Sequence, residues 1–407
     1  MKVAVVGAGF SGCISALLLA RKGAEVTLFD TQTSIGGVLR DIAVEGQRYF
    51  NGCHYLQHGW LDLLELTQGL LVFPHEYGAL TTLGNKRARL LDDCAQPALD
   101  GLAQINANAI LDGTALQRLS AYGPHATNLI AWASSFGNLA ILDQRCLLHM
   151  QLSRIFFPED INLLNKKKAD VTSDQMIAVP RRIRQPESPI ELAMLPHDGF
   201  NPFLDQIELA LKNAGVKLKM NSPVKLISGE TAVQLNICGQ IQLFDKVVWA
   251  SNPTRLLKMV CDVRLKTPPI NMELFVGRFK SNKFISYPVP LPYYWQIFDV
   301  ATPVVRVYVY SLQDRISFSV ETFNRPGQNQ HQVLLNIFHS LGLPTEFEIA
   351  ARVKQLRHLN FSITEMNEMQ ASNATLLERG IIPGGWCHFG REEKITNINS
   401  YLDKIIL

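Results

Sequence analysis

A glycine-rich turn near the start of the chain has the residue types needed to bind a dinucleotide. Residues 7–12 read GAGFSG, in which Gly7 permits a tight turn and Gly9, without a Cβ atom, lets a pyrophosphate approach the backbone. Gly12 lets the following helix pack closely on the preceding strand. Asp30 lies 18 residues after Gly12, where its carboxylate can accept hydrogen bonds from ribose hydroxyls.

The elements around this turn must place it at the edge of a parallel sheet. Residues 2–6 (KVAVV) are typical of a buried strand, residues 13–21 (CISALLLAR) are good helix formers, and residues 25–30 (EVTLFD) predict a second strand. The helix N-terminus then offers N–H groups and the positive end of its dipole to a phosphate. We therefore predict a Rossmann-type βαβ unit. A glycine-rich turn without a ligand is the alternative.

Length and composition exclude several other classes of protein. The 407 residues exceed one ordinary core and predict two domains, or one domain with a large insertion. The formal net charge of +3 is not gathered into a basic tract, so nothing favours a nucleic acid or an anionic membrane as partner. No apolar run is long enough for a transmembrane helix. The seven cysteines are widely spaced without a CxxC pair, which favours a reducing cytoplasm over a disulfide scaffold or a metal site. The oligomeric state stays open.

A second pair of glycines, Gly36 and Gly37, closes the segment TQTSIGG that follows Asp30. This segment resembles the one by which FAD enzymes of the flavin amine oxidase superfamily continue past the dinucleotide fold, beside the pyrophosphate and the flavin. NAD dehydrogenases have no matching segment, so the resemblance implies FAD as the cofactor. Arg40 lies just beyond and could neutralise phosphate charge, or it could be an ordinary solvated side chain.

Within this superfamily the chain most resembles the UDP-galactopyranose mutases and their relatives. Residues 49–58 (YFNGCHYLQH) are similar to the family's Gly-x-His segment, which passes close to the flavin, and Gly52 and His54 match it. The resemblance implies that Gly52 allows close approach and that His54 has a catalytic role, bonded to a flavin carbonyl or to the substrate. An ordinary core or surface histidine is the alternative.

Two later segments also resemble this family. The segment DRISFS resembles a strand that carries an active-site arginine, which implies a catalytic and substrate-binding role for Arg315. Near the C-terminus, Gly390 and Arg391 match the end of a late strand whose arginine contacts the FAD pyrophosphate. A helix that starts near Asn399 would then point its N-terminus at the flavin. For Arg315 the alternative is a strand-edge arginine that faces water. For Gly390 and Arg391 the alternative is an ordinary turn.

Other parts of the chain match the family less well. The segment around Val224 resembles the family's return to the FAD domain, which implies that its backbone meets the adenine of FAD. Arg181 and Arg184 lie near the position at which the family carries a substrate-binding arginine, which implies the same role for them. The alternative is a solvated basic loop. The mutases hold their sugar diphosphate with tyrosines late in the chain, but here no tyrosine occurs between Tyr310 and Tyr401. The FAD prediction does not depend on these tyrosines, whereas galactofuranose chemistry does not follow without them.

The predicted architecture is α/β, with a Rossmann-type FAD-binding domain of the glutathione reductase and amine oxidase kind. This domain is assigned to residues 1–85, 195–261 and 371–407. Residues 86–194 are predicted to be a helical insertion from their composition and spacing. Residues 262–370 contain β-branched and aromatic runs, which predict an antiparallel sheet that forms the substrate domain. Because pockets favour domain interfaces, the substrate should lie between the flavin and these insertions.

Three functions are compatible with these features. The first is an FAD-dependent oxidoreductase that transfers a hydride from a small polar substrate, anionic or sugar-like and by analogy a nucleotide sugar, to flavin N5. The second is a redox-neutral isomerase of the mutase kind, which uses reduced FAD and has NADPH as a candidate reductant. The third is a non-catalytic binding protein on the same fold. No general base is identified, and His54, His197 and His388 are candidates only because histidine titrates near neutrality.

Overall fold

The computed structural model of the chain describes residues 1–56, 70–74, 77–81, 84–87, 113–120, 127–149, 192–227, 233–280, 291–325, 327–357, 360–384, 386 and 400. The strands among them are, in chain order, β1 (Lys2–Val6), β2 (Glu25–Phe29), β3 (Ile42–Val44), β4 (Gln47–Tyr49), β5 (Leu70–Pro74), β6 (Tyr77–Thr81), β7 (Gly84–Arg87), β8 (Leu192–Pro196), β9 (Lys217–Lys219), β10 (Val224–Ile227), β11 (Val233–Ile237), β12 (Gln240–Phe244), β13 (Lys246–Trp249), β14 (Ile270–Phe279), β15 (Tyr293–Ile297), β16 (Val304–Leu312), β17 (Arg315–Phe323), β18 (Phe347–Arg357) and β19 (Ile381–Pro383).

The helices of the described residues pack on these strands or connect them. They are α1 (Phe10–Arg21), α2 (Ala115–Ser120), α3 (Thr127–Ala133), α4 (Cys146–His149), α5 (Phe200–Asn213), α6 (Thr254–Cys261), α7 (Gln330–Ser340) and α8 (Ile363–Glu378), with short 3-10 turns at Gly37–Leu39 and Ser134–Phe136. None of these helices combines the length and the apolar character that crossing a bilayer requires.

A five-stranded parallel sheet carries the predicted βαβ unit. Its strand order is β19-β13-β1-β2-β9, and every neighbouring pair is parallel. Val3, Ala4 and Val5 of β1 have no exposed surface, which explains why this strand is a continuous apolar run. Helix α1 crosses from β1 to β2 and buries Ile14 and Leu17 in the same core. The predicted Rossmann-type unit is confirmed.

A seven-stranded sheet has the order β18-β14-β17-β16-β15-β6-β7, and all its pairs are antiparallel except the β15–β6 pair. Because side chains alternate along a strand, the two faces of β17 differ. Ile316, Phe318 and Val320 pack with helix α7 in one core, whereas Ser319 and Glu321 point to the opposite face, towards residues of the N-terminal segment. The predicted antiparallel sheet is confirmed, and with it the α/β fold class.

The domain boundaries themselves stay a prediction. Strands β6 and β7 come from the segment assigned to the first part of the FAD-binding domain, yet they pair into the seven-stranded sheet. Helices α2, α3 and α4 lie within the predicted helical insertion, and most of that insertion lies outside the described residues. A small antiparallel sheet, β10-β11-β12, follows β9 in the chain.

Candidate functional site

The three glycines of the GAGFSG turn have different surroundings. Gly7 has a φ of +103°, and a Cβ atom built there would come 2.8 Å from the backbone nitrogen of Ser251. A Cβ on Gly12 would overlap the carbonyl oxygen of Gly7, in accord with the predicted packing role. A Cβ on Gly9 would meet no described atom within 4 Å. The backbone of Gly9 therefore borders space that the described residues leave open.

The start of helix α1 lines this open space. Its N-cap is Gly9, and no described side chain caps it, so its first N–H groups and its positive dipole end are offered to an anion. Gly36 donates its N–H to the carbonyl oxygen of Ala8 at 2.7 Å, and a Cβ on Gly37 would lie 3.2 Å from the Cα of Gly9. The second glycine pair thus borders the same space. Together these features fit the pyrophosphate of a dinucleotide.

Asp30 lies where β2 ends and contacts the glycine turn directly. Its carboxylate accepts the N–H of Ala8 at 2.5 Å and the N–H of Gln32 at 2.8 Å. A carboxylate has about four lone-pair sites, so it can still accept hydrogen bonds from ribose hydroxyls. Arg40 donates from Nε to the carbonyl oxygen of Ile35 at 3.1 Å. Its contact with a phosphate stays a prediction.

Helix α5 connects the glycine turns to the segment that carries His54. A Cβ on Gly36 would overlap the side chain of Leu204, so this helix packs directly on the second glycine pair. Phe200, one helical turn earlier, contacts the rings of Phe50 and His54, with centroid distances of 5.5 and 6.4 Å. One helical turn is about 5 Å. The His54 segment therefore lies close to the predicted pyrophosphate site.

Asp41 fixes the start of α5. Its two carboxylate oxygens accept the N–H groups of Phe200 and Asn201 at 3.1 and 3.0 Å, and the side chain of Asn201 accepts the N–H of Asp41 at 3.1 Å. Burial raises the pKa of Asp41, and the two N–H groups partly oppose that effect. Since this carboxylate occupies the N-terminus of α5, that helix end is not an anion site.

A closed ring of hydrogen bonds holds Phe50. Its N–H donates to the hydroxyl of Tyr310 at 2.9 Å, and the hydroxyl of Ser319 donates to its carbonyl oxygen at 2.7 Å. Since the hydrogen of Ser319 is used in this way, the 3.3 Å contact between the two hydroxyls is a donation from Tyr310 to Ser319. Burial raises the pKa of Tyr310, which keeps the phenol protonated and able to donate.

The predicted Gly-x-His segment follows this ring and lies against the seven-stranded sheet. Gly52 has a φ of +98°, and a Cβ there would lie 3.0 Å from Oε1 of Glu321. Nε2 of His54 lies 2.9 Å from the carbonyl oxygen of Asn51. Because a carbonyl oxygen only accepts, Nε2 is a nitrogen that carries hydrogen. The catalytic role predicted for His54 is not tested by this geometry.

Three charged side chains, the buried Glu321 and the partly buried Arg306 and Arg357, form a cluster facing Gly52, here called the charged cluster. Glu321 is 3% exposed and accepts from Nη1 of Arg357 at 2.9 Å, while Nη1 of Arg306 lies 3.6 Å from its other oxygen. Burial acts to raise the pKa of Glu321, but Arg306 and Arg357, with a smaller contribution from His54, outweigh burial and lower it to about 2. The carboxylate is therefore ionised at physiological pH.

Two glutamines orient the guanidinium groups of the charged cluster. Oε1 of Gln355 accepts from Nε and Nη2 of Arg357 at 3.0 and 2.6 Å, and Nε2 of Gln355 reaches Oδ1 of Asn51 at 3.4 Å. Oε1 of Gln296 accepts from Nε of Arg306 at 3.4 Å. The charged cluster is thus joined by hydrogen bonds to the residue just before Gly52.

Arg315 is not part of this cluster. It begins β17 and pairs with Leu312 at the turn between β16 and β17. Glu321 follows six positions later on the same strand, which is about 20 Å. The structure therefore does not bring Arg315 together with His54, and the roles predicted for Arg315 stay predictions.

The other predicted site residues are Val224, which the structure describes, and five residues that lie outside the described part of the chain. Val224 begins β10 and pairs with Ile237, and its proximity to adenine stays a prediction. Five predicted cofactor or substrate residues lie outside the described part of the chain: Arg181, Arg184, Gly390, Arg391 and Asn399.

We did not predict the charged cluster from the sequence, although the segments around two of its members indicate buried charged residues. Arg306 interrupts the apolar strand VVRVYVYSL, and Glu321 interrupts RISFSVETF. Charged residues are seldom buried unless they are paired. Pairing these strands as a hairpin would have placed the two residues opposite each other, as the structure does. Arg357 lies in a strand that contains three other charged residues, so it gives no such signal.

Comparison with known proteins supports the same fold. A family model described as an NAD(P)-binding Rossmann-like domain matches residues 5–68. Hydroxyneurosporene desaturase of Rubrivivax gelatinosus is 51% identical over 75 residues, which are 18% of this chain and 14% of that protein. The matched region is thus about one seventh of that relative's length.

Two solved structures cover the chain much more fully. Reduced UDP-galactopyranose mutase superposes with a TM-score of 0.71 at 12% identity, over 100% of this chain and 95% of that one. Putrescine oxidase bound to putrescine superposes with a TM-score of 0.64 at 13% identity, over 100% of this chain and 99% of that one. At such identities the likeness shows the fold alone. The chain therefore shares the fold of these two structures, and the Rossmann-like match at residues 5–68 contains the first glycine motif.

Proposed function

We propose that the chain is an FAD-dependent oxidoreductase that removes a hydride from a small polar substrate of the sugar or nucleotide-sugar class. The observation that carries the proposal is the open space at Gly9, bordered by the uncapped start of α1 and by Gly36 and Gly37. Asp30 stands beside this space at the end of β2. A dinucleotide pyrophosphate and its ribose fit this combination of N–H donors and carboxylate.

Residues of the chain then have distinct tasks. Gly9 and the first turn of α1 bind the pyrophosphate, while Asp30 accepts hydrogen bonds from the ribose. The hydrogen bonds that fix the backbone of Phe50 would position the following Gly52 and His54 beside the flavin ring. Bound FAD supplies the hydride acceptor, and oxygen or another acceptor removes the electrons afterwards.

The substrate side of the proposal rests on fewer observations. The seven-stranded sheet presents the charged cluster to the His54 segment, so the substrate would bind between that sheet and the flavin. Arg181, Arg184 and Arg315 remain candidates for binding an anionic group of the substrate. Among the described residues, Cys13, Cys146, Cys238 and Cys261 are free cysteines, which supports a reducing cytoplasm as the location.

The first test is the visible spectrum of the purified protein, followed by release of the cofactor on heating. We expect a flavin spectrum and FAD in the supernatant. Anaerobic addition of a sugar or nucleotide sugar should bleach the flavin, and admission of oxygen should restore it. A colourless protein that releases no flavin contradicts the proposal and favours a binding protein on the same fold.

The redox-neutral isomerase is the second candidate, favoured by the superposition on reduced UDP-galactopyranose mutase. Such an enzyme needs a reductant, for which NADPH is the candidate that the same experiment includes. Bleaching by NADPH but by no sugar, with turnover only after reduction and without net oxidation of the substrate, would favour the isomerase. Bleaching by a sugar with net oxidation would exclude it.

A further inference from the structure

The charged cluster contains more positive than negative charge. Arg306 and Arg357 carry two positive charges, and Glu321 carries one negative charge, so the cluster as described has a net charge of +1. The side chains of Arg306 and Arg357 are only 12% and 24% exposed. Burying charge without full compensation is costly, so the arrangement favours a further anion beside it.

Arg306 and Arg357 differ in how many of their guanidinium N–H groups have an acceptor among the described residues. Arg357 already donates from Nε, Nη1 and Nη2 to Gln355 and Glu321. Arg306 donates only from Nε, at 3.4 Å, and its Nη1 lies 3.6 Å from Glu321, which is too long for a hydrogen bond. Among the described residues, neither Nη atom of Arg306 has an acceptor within hydrogen-bond distance. A planar fork of N–H donors is therefore available.

We propose that Arg306 binds a carboxylate group of the substrate, in competition with the carboxylate of Glu321, which also pairs with Arg357. The inference rests on the proposed function, because only a flavin bound near Gly52 and His54 would make the neighbourhood of the charged cluster a substrate site. A guanidinium fork matches the two oxygens of a carboxylate. One negative charge also balances the cluster, whereas a phosphate carries about −1.5 to −2 at neutral pH and would over-compensate it. The substrate class is thus narrowed to a small carboxylic acid, including a sugar acid.

The test titrates the flavin-loaded protein with acetate, lactate and benzoate, and separately with acetamide, lactamide and benzamide. Binding is read from the change in flavin absorbance and from calorimetry. At least one carboxylate should bind, and its amide should bind at least tenfold more weakly. Arg306→Gln should weaken binding of that carboxylate by roughly tenfold to a hundredfold, since a hydrogen bond between charged groups is lost. Arg306→Lys keeps the charge without the fork and should give an intermediate loss.

Two further variants distinguish binding of a carboxylate from a purely structural role of the charged cluster in the seven-stranded sheet. Arg278→Gln removes an exposed arginine that pairs with Glu348 on the same sheet, and it should bind the carboxylate as the wild type does. Glu321→Gln removes the competing negative charge, so the carboxylate should bind more tightly even though the protein is less stable. A purely structural role for the cluster does not produce that gain.

Several outcomes would overturn the inference. They are equal binding of carboxylate and amide, unchanged carboxylate binding in Arg306→Gln, no binding of any carboxylate to flavin-loaded wild type, and tighter binding of inorganic phosphate that depends on Arg306. Flavin content is measured before any probe is added. Failure of the proposed function therefore appears as a colourless protein, whereas failure of this inference appears as flavin-loaded protein without a preference for carboxylates.

Discussion

Gly9 and Gly12 belong to one turn, but a side chain at each position would meet different surroundings. Gly9 has φ −66° and ψ 174°, which any residue adopts, and its Cβ direction is open among the described atoms. In Gly9→Val the side chain would fill the space assigned to the pyrophosphate. We expect flavin content to fall close to zero, while the unfolding free energy of the flavin-free protein changes by less than about 0.5 kcal/mol. Absorbance per mole of protein and urea unfolding measure the two effects.

Gly12→Ala is the matched control for that prediction. Its Cβ would overlap the carbonyl oxygen of Gly7, so α1 must move away from β1. Such overpacking costs about 1–3 kcal/mol, and the loss should appear with or without flavin. Full flavin content in Gly9→Val would remove the main support for the pyrophosphate site.

Glu321 carries a prediction about acid stability. Burial would raise its pKa, but Arg306 and Arg357 lower it from 4.5 to about 2 in the folded protein. Between pH about 4.5 and 2 the unfolded chain therefore binds a proton at Glu321 that the folded chain does not. The unfolding free energy should fall as the pH falls through this window, by an amount on the order of 3 kcal/mol. Urea unfolding at a series of pH values measures this slope.

Glu321→Gln abolishes that proton uptake, so its unfolding free energy should change less steeply over the same pH window. It should also be less stable at neutral pH, because Arg306 and Arg357 lose their counter-charge. Glu25→Gln is the control, since the Glu25–Lys217 pair is exposed and contributes little. If the unfolding free energies of wild type and Glu321→Gln depend on pH equally, protonation of Glu321 is not the cause of the loss of stability in acid.

At the scale of elements, strands β16 and β17 act on the N-terminal segment through the hydroxyls that hold Phe50. Tyr310→Phe leaves the buried N–H of Phe50 without its acceptor and Ser319 without its donor. We expect a loss of about 1–3 kcal/mol in unfolding free energy. Because His54 follows this ring, the circular dichroism of bound flavin should also change.

Ser311→Ala provides the comparison for Tyr310→Phe. Ser311 is the next residue on β16, and its hydroxyl makes no hydrogen bond to a described residue. Its removal should change the unfolding free energy by less than about 0.5 kcal/mol and leave the flavin spectrum unchanged. Equal effects of the two substitutions would show that the hydroxyl ring does not position the segment.

Local patterns predict these elements well, and they fail where distant strands meet. Strands Ile270–Phe279 and Val304–Leu312 lie within residues 262–370, where the β-branched and aromatic runs predict an antiparallel sheet. All members of the dinucleotide unit lie within the first thirty residues, so their spacing alone was informative. The charged cluster instead joins β16, β17 and β18, and β14 lies between the last two in the sheet. Asp41 likewise reaches α5 from 159 residues away, beyond any local rule.

At the scale of the whole molecule, the candidate site joins three parts of the fold. The glycine turns belong to the parallel sheet, α5 packs on Gly36, and Gly52 contacts Glu321 of the seven-stranded sheet. A ligand that extends from Gly9 to Gly52 would contact all of these parts in the folded chain only. Its binding should therefore stabilise the whole protein rather than one sheet.

Thermal unfolding of flavin-free protein with added FAD or NAD tests whether a bound ligand stabilises the whole protein. The same measurement distinguishes FAD from NAD. FAD at a hundred times its Kd should raise the unfolding free energy by about 2.7 kcal/mol. NAD shares the adenosine and the pyrophosphate, but it has no flavin to reach Gly52 and His54, so at equal concentration it should raise the Tm less. Gly9→Val should respond to neither. An equal rise with NAD would mean that the Rossmann-like unit binds a dinucleotide without engaging the seven-stranded sheet, and it would remove the physical link between the flavin and the charged cluster.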